Sequence, residues 1–392
     1  MRKFLLVAVA IILLVGLAFF SQIRMGLLSV LFLKDLLDDG GVKAPHRGAL
    51  AWVTRAPSVN LVFIPVGERT IEADLYYFQD GKKRAAILLT HGIIETGKND
   101  PRLIRFAYSL ARSGFVVLVP ELVGMKSLRV LLSDVDDIVT SFRFLGSIKD
   151  QVDKEKMGLL GFSYGAGPTF MAASRPSIRN QVKFITSFGS YYDPINLLRF
   201  ITTGYYEYGE KKGYLRPEPY GKWVFFVNNL DYVERESDRK FLKEVFKKEE
   251  SRKTGEGIEI QAVLRSLSPE GQALYELLVN KDPLRVEELF ARTDRRFQNY
   301  IKRLSLAPVI PSVEAYMLVG HGTTDPLIPY TESLRIADAA RDPDKVHTAI
   351  LKLYSHVDPT RKSYSTKEFL TIYLPSMVQF YYLIYDLLSQ QL

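Results

Sequence analysis

Met157-Gly-Leu-Leu-Gly161-Phe-Ser163-Tyr-Gly165-Ala-Gly167 is the stretch on which the fold turns. Met157 to Phe162 is short and almost wholly apolar, which predicts a buried strand. Gly161-Phe-Ser163-Tyr-Gly165 fits G-x-S-x-G, and the residues through Ala172 and Ala173 read as a helix. A serine on a tight strand-to-helix turn has its hydroxyl pushed out of the sheet. Gly161 and Gly165 leave room where a Cβ would clash as the turn closes. The helix N-terminus aims unpaired N–H groups and its positive dipole end at the same spot. Those are the needs of an activated serine nucleophile. A glycine-rich turn carrying only a solvent-facing serine has the same letters. The reading therefore needs a base, an acid and an oxyanion hole from elsewhere in the chain.

Working outward, strands and helices alternate. Residues 59–66 and 70–78 read as strands around the turn Gly67-Glu68, and the second alternates apolar and polar positions. Ala85–Leu89 is a continuous apolar run that ends in Thr90-His91-Gly92-Ile93-Ile94. Asn99-Asp100-Pro101 reads as a helix start, and Gly114 as its stop. Residues 115–119 form the next buried strand, followed by Pro120-Glu121-Leu122-Val123-Gly124. Residues 133–145 read as a helix with aspartates in its first turns, and 182–187 as another strand. This rhythm predicts a doubly wound, mostly parallel sheet, which binds ligands at the carboxyl ends of its strands. His91, Glu121, Ser163 and Tyr191 all fall just past such ends.

The sheet resumes at residues 313–319 and ends in His321-Gly-Thr-Thr-Asp325-Pro326. A helix over 328–340 and a last strand over 346–353 follow. Five histidines are present: His46, His91, His321, His347 and His356. The base must sit beside the serine at the sheet edge. His356, in a loop just past the last strand, is the candidate; His347 lies within a strand and His46 in a linker. Asp325, held by Pro326, is the candidate acid, with Asp193 in reserve. Asp325 also stands where a helix cap would. The oxyanion hole needs two backbone N–H groups, and those of Tyr164 and Ile93 are placed to supply them.

The chain has 392 residues, room for one large α/β domain plus an insertion or for two domains. It has no cysteine, which excludes disulfides, thiolate metal sites and a cysteine nucleophile. No pair of histidines has metal-site spacing, and the expected chemistry needs no metal or organic cofactor. The net charge of +8 comes without a Lys/Arg-rich block. That argues against a nucleic-acid partner and for a mild attraction to anionic lipid.

Phe4 to Gln22 is free of charge and follows Arg2 and Lys3. As a helix it would rise about 28 Å, near the bilayer's hydrocarbon thickness. It is read as a retained anchor, over residues 1–23, rather than a cleaved signal peptide, because no small-residue cleavage site follows. The charges before it predict a single-pass protein of the cell membrane with its bulk on the outer, periplasmic or extracellular side. Residues 24–58 read as a linker, although Met25–Leu33 is apolar enough to continue a helix along a membrane surface. Residues 59–190 and 313–392 are the two parts of the α/β core, and 191–312 an inserted helical cap rich in tyrosine and phenylalanine. Those aromatics either line an apolar acyl pocket or hold the cap to the core. Residues 369–388 read as a helix packed on the sheet; Pro375, Gln379 and Asp386 speak against a second membrane span.

Gly161–Gly165, His91-Gly92, the turn His321–Pro326 and the late His356, in the order Ser…Asp…His, resemble the α/β-hydrolase superfamily. Within it the sequence is most similar to dienelactone-hydrolase-like and prolyl-oligopeptidase-like catalytic domains. The resemblance covers about residues 59–190 and 313–390, not the anchor or most of the cap. It implies an α/β-hydrolase fold, a Ser163–Asp325–His356 triad, and oxyanion donors at Ile93 and Tyr164. Glu121 departs from it, standing where many relatives carry Asp. The absent cysteine removes dienelactone hydrolase chemistry, and no propeller-sized domain precedes residue 59, which disfavours oligopeptidase activity. The expected function is a membrane-anchored serine hydrolase acting on an ester or related acyl bond of a small or lipid-like substrate. A serine peptidase or acyltransferase is the alternative on the same fold. A non-catalytic, membrane-tethered binding module is the alternative of another class.

Overall fold

The continuous apolar runs become the central strands. In the computed structural model, which describes residues 19–37, 48–251, 264–352 and 365–392, eight strands form one sheet. They are β1 (Ser58–Val66), β2 (Arg69–Tyr77), β3 (Arg84–Thr90), β4 (Val116–Pro120), β5 (Val152–Phe162), β6 (Phe184–Phe188), β9 (Tyr316–Gly322) and β10 (Val346–Leu351). The order is β1-β2-β4-β3-β5-β6-β9-β10. β1 pairs antiparallel with β2, and β2 with β4; every later pairing is parallel. A parallel sheet needs helical crossovers and is covered on both faces. That is why β3, β4 and the second half of β5, Met157–Phe162, are near-continuous apolar runs rather than alternating sequences. β7 (Tyr205–Tyr208) and β8 (Lys211–Tyr214) form a separate hairpin at the start of the cap.

Alternate residues of each strand serve two cores. On one face, Ala86, Leu88, Leu118 and Leu159 pack with helix α3 (Leu132–Ser147), helix α4 (Ala166–Ala173) and the cap. On the other, Ile87, Leu89, Val117 and Leu160 pack with three helices. These are α1 (Phe20–Leu37), α2 (Pro101–Ser113) and α12, the C-terminal helix Leu374–Ser389. Local chemistry fixes the ends of α2. The Asp100 carboxylate accepts the amides of Arg102 and Leu103, and Gly114 closes the helix at φ 118°. α12 buries Phe380, Leu383, Ile384, Leu387 and Leu388 against the sheet, as a packed helix rather than a span.

The N-terminus differs from the sequence reading. Residues 24–37, assigned to a linker, are the greater part of α1, which docks on the sheet layer through Met25, Leu28, Phe32 and Leu33. Their helical spacing supplies the buried stripe that a linker lacks. The Phe32 ring meets Phe106 of α2 edge-on at 5.3 Å. Asp35, also buried, accepts the amides of Ala49 and Leu50 and so ties the next segment back to α1. The anchor assigned to residues 4–22 lies, except for 19–22, outside the described residues. Among those described, no helix is long and apolar enough to cross a membrane.

Between β6 and β9 come α5 (Pro194–Thr203), the hairpin, and the helices α6 (Pro219–Val227), α7 (Glu236–Ser251), α8 (Pro269–Val279), α9 (Val286–Ala291) and α10 (Arg295–Arg303). The cap's aromatics divide between its own core and a cavity. Phe226, Phe246 and Phe297 are buried within it, while Tyr220, Phe225 and Tyr300 reach a cavity over the sheet edge. Tyr300 also donates to the Val130 carbonyl at 2.6 Å, fastening the cap to the core.

Candidate active site

β5 stops at Phe162, and Ser163 takes φ 53° before a single tight turn, Ser163–Gly165, leads into α4. A non-glycine residue in the left-handed region costs about 1–2 kcal/mol, and here the surroundings enforce it. The glycines show why. A Cβ on Gly161 would come within 2.6 Å of the Ala166 Cα, and one on Gly165 would collide with the His91 carbonyl oxygen. The hydroxyls of Thr90 and Thr169, 2.7 Å apart, bind the end of β3 to the helix after the serine.

The β3 loop passes directly over the serine. A Cβ on Gly92 would stand 3.2 Å from the Ser163 Cβ. His91 fixes this loop rather than acting as a base. Its Nδ1 lies 2.8 Å from the Gly92 carbonyl, and its Nε2 accepts the Leu122 amide at 3.1 Å. Both nitrogens are thus spent on backbone. Glu121, 3.4 Å from the same Nε2, accepts Lys126 at 2.7 Å and the Lys98 amide at 3.3 Å. It is a brace between the β3–α2 and β4–α3 connections, a role that its place in the sequence does not announce. Ile93 and Tyr164, the expected oxyanion donors, line one cavity with Ser163.

A buried serine held in left-handed backbone between strand and helix, on an eight-stranded sheet with six consecutive parallel strands, settles the architecture. The chain has the α/β-hydrolase fold. In this hydrolase fold the next element of interest is the loop after β9. Asp325 is fully buried; its Oδ1 accepts the amides of Leu327 at 2.8 Å and Ile328 at 3.0 Å, and its Oδ2 lies 3.3 Å from His321 Nε2. His321 is itself held between the Ser333 hydroxyl, 2.6 Å from Nδ1, and the Ile328 carbonyl, 2.9 Å from Nε2. The amides that Asp325 takes precede helix α11 (Thr331–Asp338), so it caps a turn rather than the helix. The Tyr164 phenol is raised above its ordinary range, by burial first and then by the charge of Asp325.

Asp193, the reserve acid, is the N-cap of α5, its Oδ1 accepting the amides of Ile195 and Asn196. His356 lies outside the described residues. β10, after which it falls, pairs in parallel with β9, and Leu351 stands opposite Gly322. His347 pairs with Asp386 at 2.6 Å, joining β10 to α12.

The cavity beside Ser163 has a volume of about 430 Å³. The cap contributes Val224, Phe225 and Ile301. The opposite helices contribute Phe106 of α2, Leu36 of α1 and Phe380 of α12. Sequence reading missed this second group, because Leu36 and Phe380 come from the two ends of the chain and carry no motif.

No protein-family model and no curated protein matches the sequence. Solved structures do resemble it. Acylaminoacyl peptidase from Pyrococcus horikoshii superposes with TM-score 0.48 at 15% identity, over 88% of this chain and 43% of the peptidase. Dienelactone hydrolase from Anabaena variabilis gives 0.42 at 12%, over 84% and 98%. Est1E from Butyrivibrio proteoclasticus gives 0.47 at 12%, over 84% and 98%. This chain spans less than half the length of the peptidase. The fold assignment above rests on the sheet and the serine turn.

Proposed function

We propose that this protein is a serine hydrolase that cleaves an ester or related acyl bond, with Ser163 as nucleophile, His356 as base and Asp325 as the group that orients the histidine. The observation that carries the proposal is the strained Ser163, buried in the lining of a largely apolar cavity and against the Gly92 backbone. In the first step Ser163 Oγ bonds to the acyl carbon and His356 takes its proton. The carbonyl oxygen, now negative, is held by the N–H groups of Ile93 and Tyr164. The carbon–oxygen bond to the alcohol then breaks, and the histidine returns the proton to the leaving alkoxide. Water, deprotonated by the same histidine, attacks the acyl-serine and releases the acid, and the proton returns to Ser163. An ester is favoured over a peptide by the lining: Phe106, Phe162, Phe188 and Val224 offer apolar surface to an acyl chain. A tether at residues 4–22, with the catalytic domain outside, belongs to the same proposal and is supported by the uncharged run there.

Labelling with a fluorophosphonate probe tests the assignment. Wild-type protein is expected to label, and Ser163→Ala and His356→Ala are expected to lose labelling and turnover of small activated esters. Undiminished labelling of Ser163→Ala, or a folded wild type that neither labels nor turns over such esters, overturns it.

A further inference from the structure

Helix α1 is apolar on both sides. Met25, Leu28, Phe32 and Leu33 face the core. The stripe Phe20, Ile23, Leu27 and Val30, at helical spacing, faces outward, each residue more than half exposed. A helix apolar all round is normally enclosed by protein or by lipid. α12 repeats the arrangement. Phe380, Leu383 and Ile384 are buried, while Leu374, Val378 and Tyr382, with Leu370 in the turn before it, are exposed. The two stripes are one surface, because Val30 and Leu37 share a groove of about 620 Å³ with Val378 and Tyr382.

Three further observations identify the occupant. The exposed stripe begins at Phe19, where the uncharged run Phe4–Gln22 of the sequence leads into it. Its other end is Lys34, whose ammonium lies 4.2 Å over the ring of Trp52, itself 69% exposed. A lysine and a tryptophan at the border of an apolar face are the residues that sit at headgroup level. Arg24, Lys34 and the net charge of +8 complement an anionic surface.

The inner faces of the same helices reach Ser163. The Phe162 ring lies 4.9 Å from Phe106 and 5.5 Å from Phe188, and Phe188 lies 6.3 Å from Phe380 of α12. With Leu36 of α1 these rings line the serine's own cavity. We infer that the outward face of α1 and α12 seats on an anionic lipid bilayer, and that the cavity behind those helices receives the acyl chain of an ester drawn from that bilayer. The substrate half of this inference rests on the serine-hydrolase reading; the docking half does not.

The full chain, which has no native cysteine, is tested with a single cysteine at Val30, Val378 or the exposed control Lys302, each carrying an environment-sensitive fluorophore. With phosphatidylcholine–phosphatidylglycerol vesicles, the probes at 30 and 378 are expected to shift to the blue and be quenched by bilayer-resident quenchers, and the probe at 302 to stay in water. Vesicle-bound protein whose probes at 30 and 378 remain in water overturns the docking surface. So does a blue shift without vesicles: dependent on protein concentration it marks a second copy, and independent of it the chain's own N-terminal residues. Val30→Glu with Val378→Glu is expected to slow hydrolysis of a long-chain ester carried in vesicles by about tenfold, with turnover of a water-soluble short ester unchanged. Equal hydrolysis of the vesicle-borne ester by this variant and wild type overturns the substrate class. A wild type inactive on the short ester removes the hydrolase reading and with it the substrate half, while the fluorescence still decides the docking.

Discussion

At the scale of single residues, the proposed triad gives the carboxylates of this site different duties. Asp325→Asn is expected to lower kcat by about 10³–10⁴-fold, since the amide no longer fixes or stabilises the charged imidazole. Asp193→Ala is expected to leave kcat near wild type and to cost about 1 kcal/mol of stability through the lost cap of α5. Steady-state kinetics with thermal melts distinguish the two, and the reverse pattern would transfer the acid role to Asp193. Glu332 gives a pH prediction. It is buried, accepts the amides of Tyr192 and Asp193, and lies 3.3 Å from Arg335. Burial pushes its carboxyl from 4.5 up to about 7. Between those values the folded chain binds more protons than the unfolded one, so stability falls as pH rises from about 4.5 to about 7 and levels off above. Asp134, raised by burial to about 6, adds to the same fall. The melting temperature is expected to drop across that window, and Glu332→Gln to flatten the drop; a variant with the wild-type slope would assign it elsewhere.

At the scale of elements, the β5–α4 turn and the β3 loop are one construction. Gly165 allows the His91 carbonyl to lie against the helix start, and His91 in turn holds Leu122 and the β4 loop. Gly165→Ala is therefore expected to shift the β3 loop away from the serine. It should cost about 1–3 kcal/mol and lower kcat more than it raises KM, because misplaced oxyanion donors act on the transition state. Urea unfolding with ester kinetics measures both; a variant as stable and active as wild type would show that the two elements are independent.

At the scale of the molecule, the sheet divides the chain into two cores with different duties. One side holds the cap, which closes over the serine; the other holds α1, α2 and α12, drawn from both ends of the chain. Two of the helices that complete the cavity, α1 and α12, keep apolar outer faces, so the proposed binding of a chain and the proposed seating on lipid fall to the same layer. The vesicle experiment belongs to this scale, since neither α1 nor α12 alone makes the surface.

Periodicity and turn chemistry determined much of this in the sequence. The apolar runs of β3, β4 and β5 announced buried parallel strands. Asp100-Pro101 and Gly114 announced the ends of α2. Gly161–Gly165 announced the strained serine, because those features act between near neighbours. The docking of α1 was not legible: Met25–Leu33 is apolar on every side, and only Phe106 and the C-terminal helix decide which face is buried. The work of His91 and Glu121 was hidden for the same reason, since the contacts by which they join the two loops span 23 to 31 positions. The cavity's second wall was hidden too, because Leu36, Phe106 and Phe380 meet only when the two ends of the chain fold onto one face of the sheet. A sequence fixes contacts along a strand or a helix through its period; contacts between distant segments are chosen by which apolar faces find each other, and that is settled only in three dimensions.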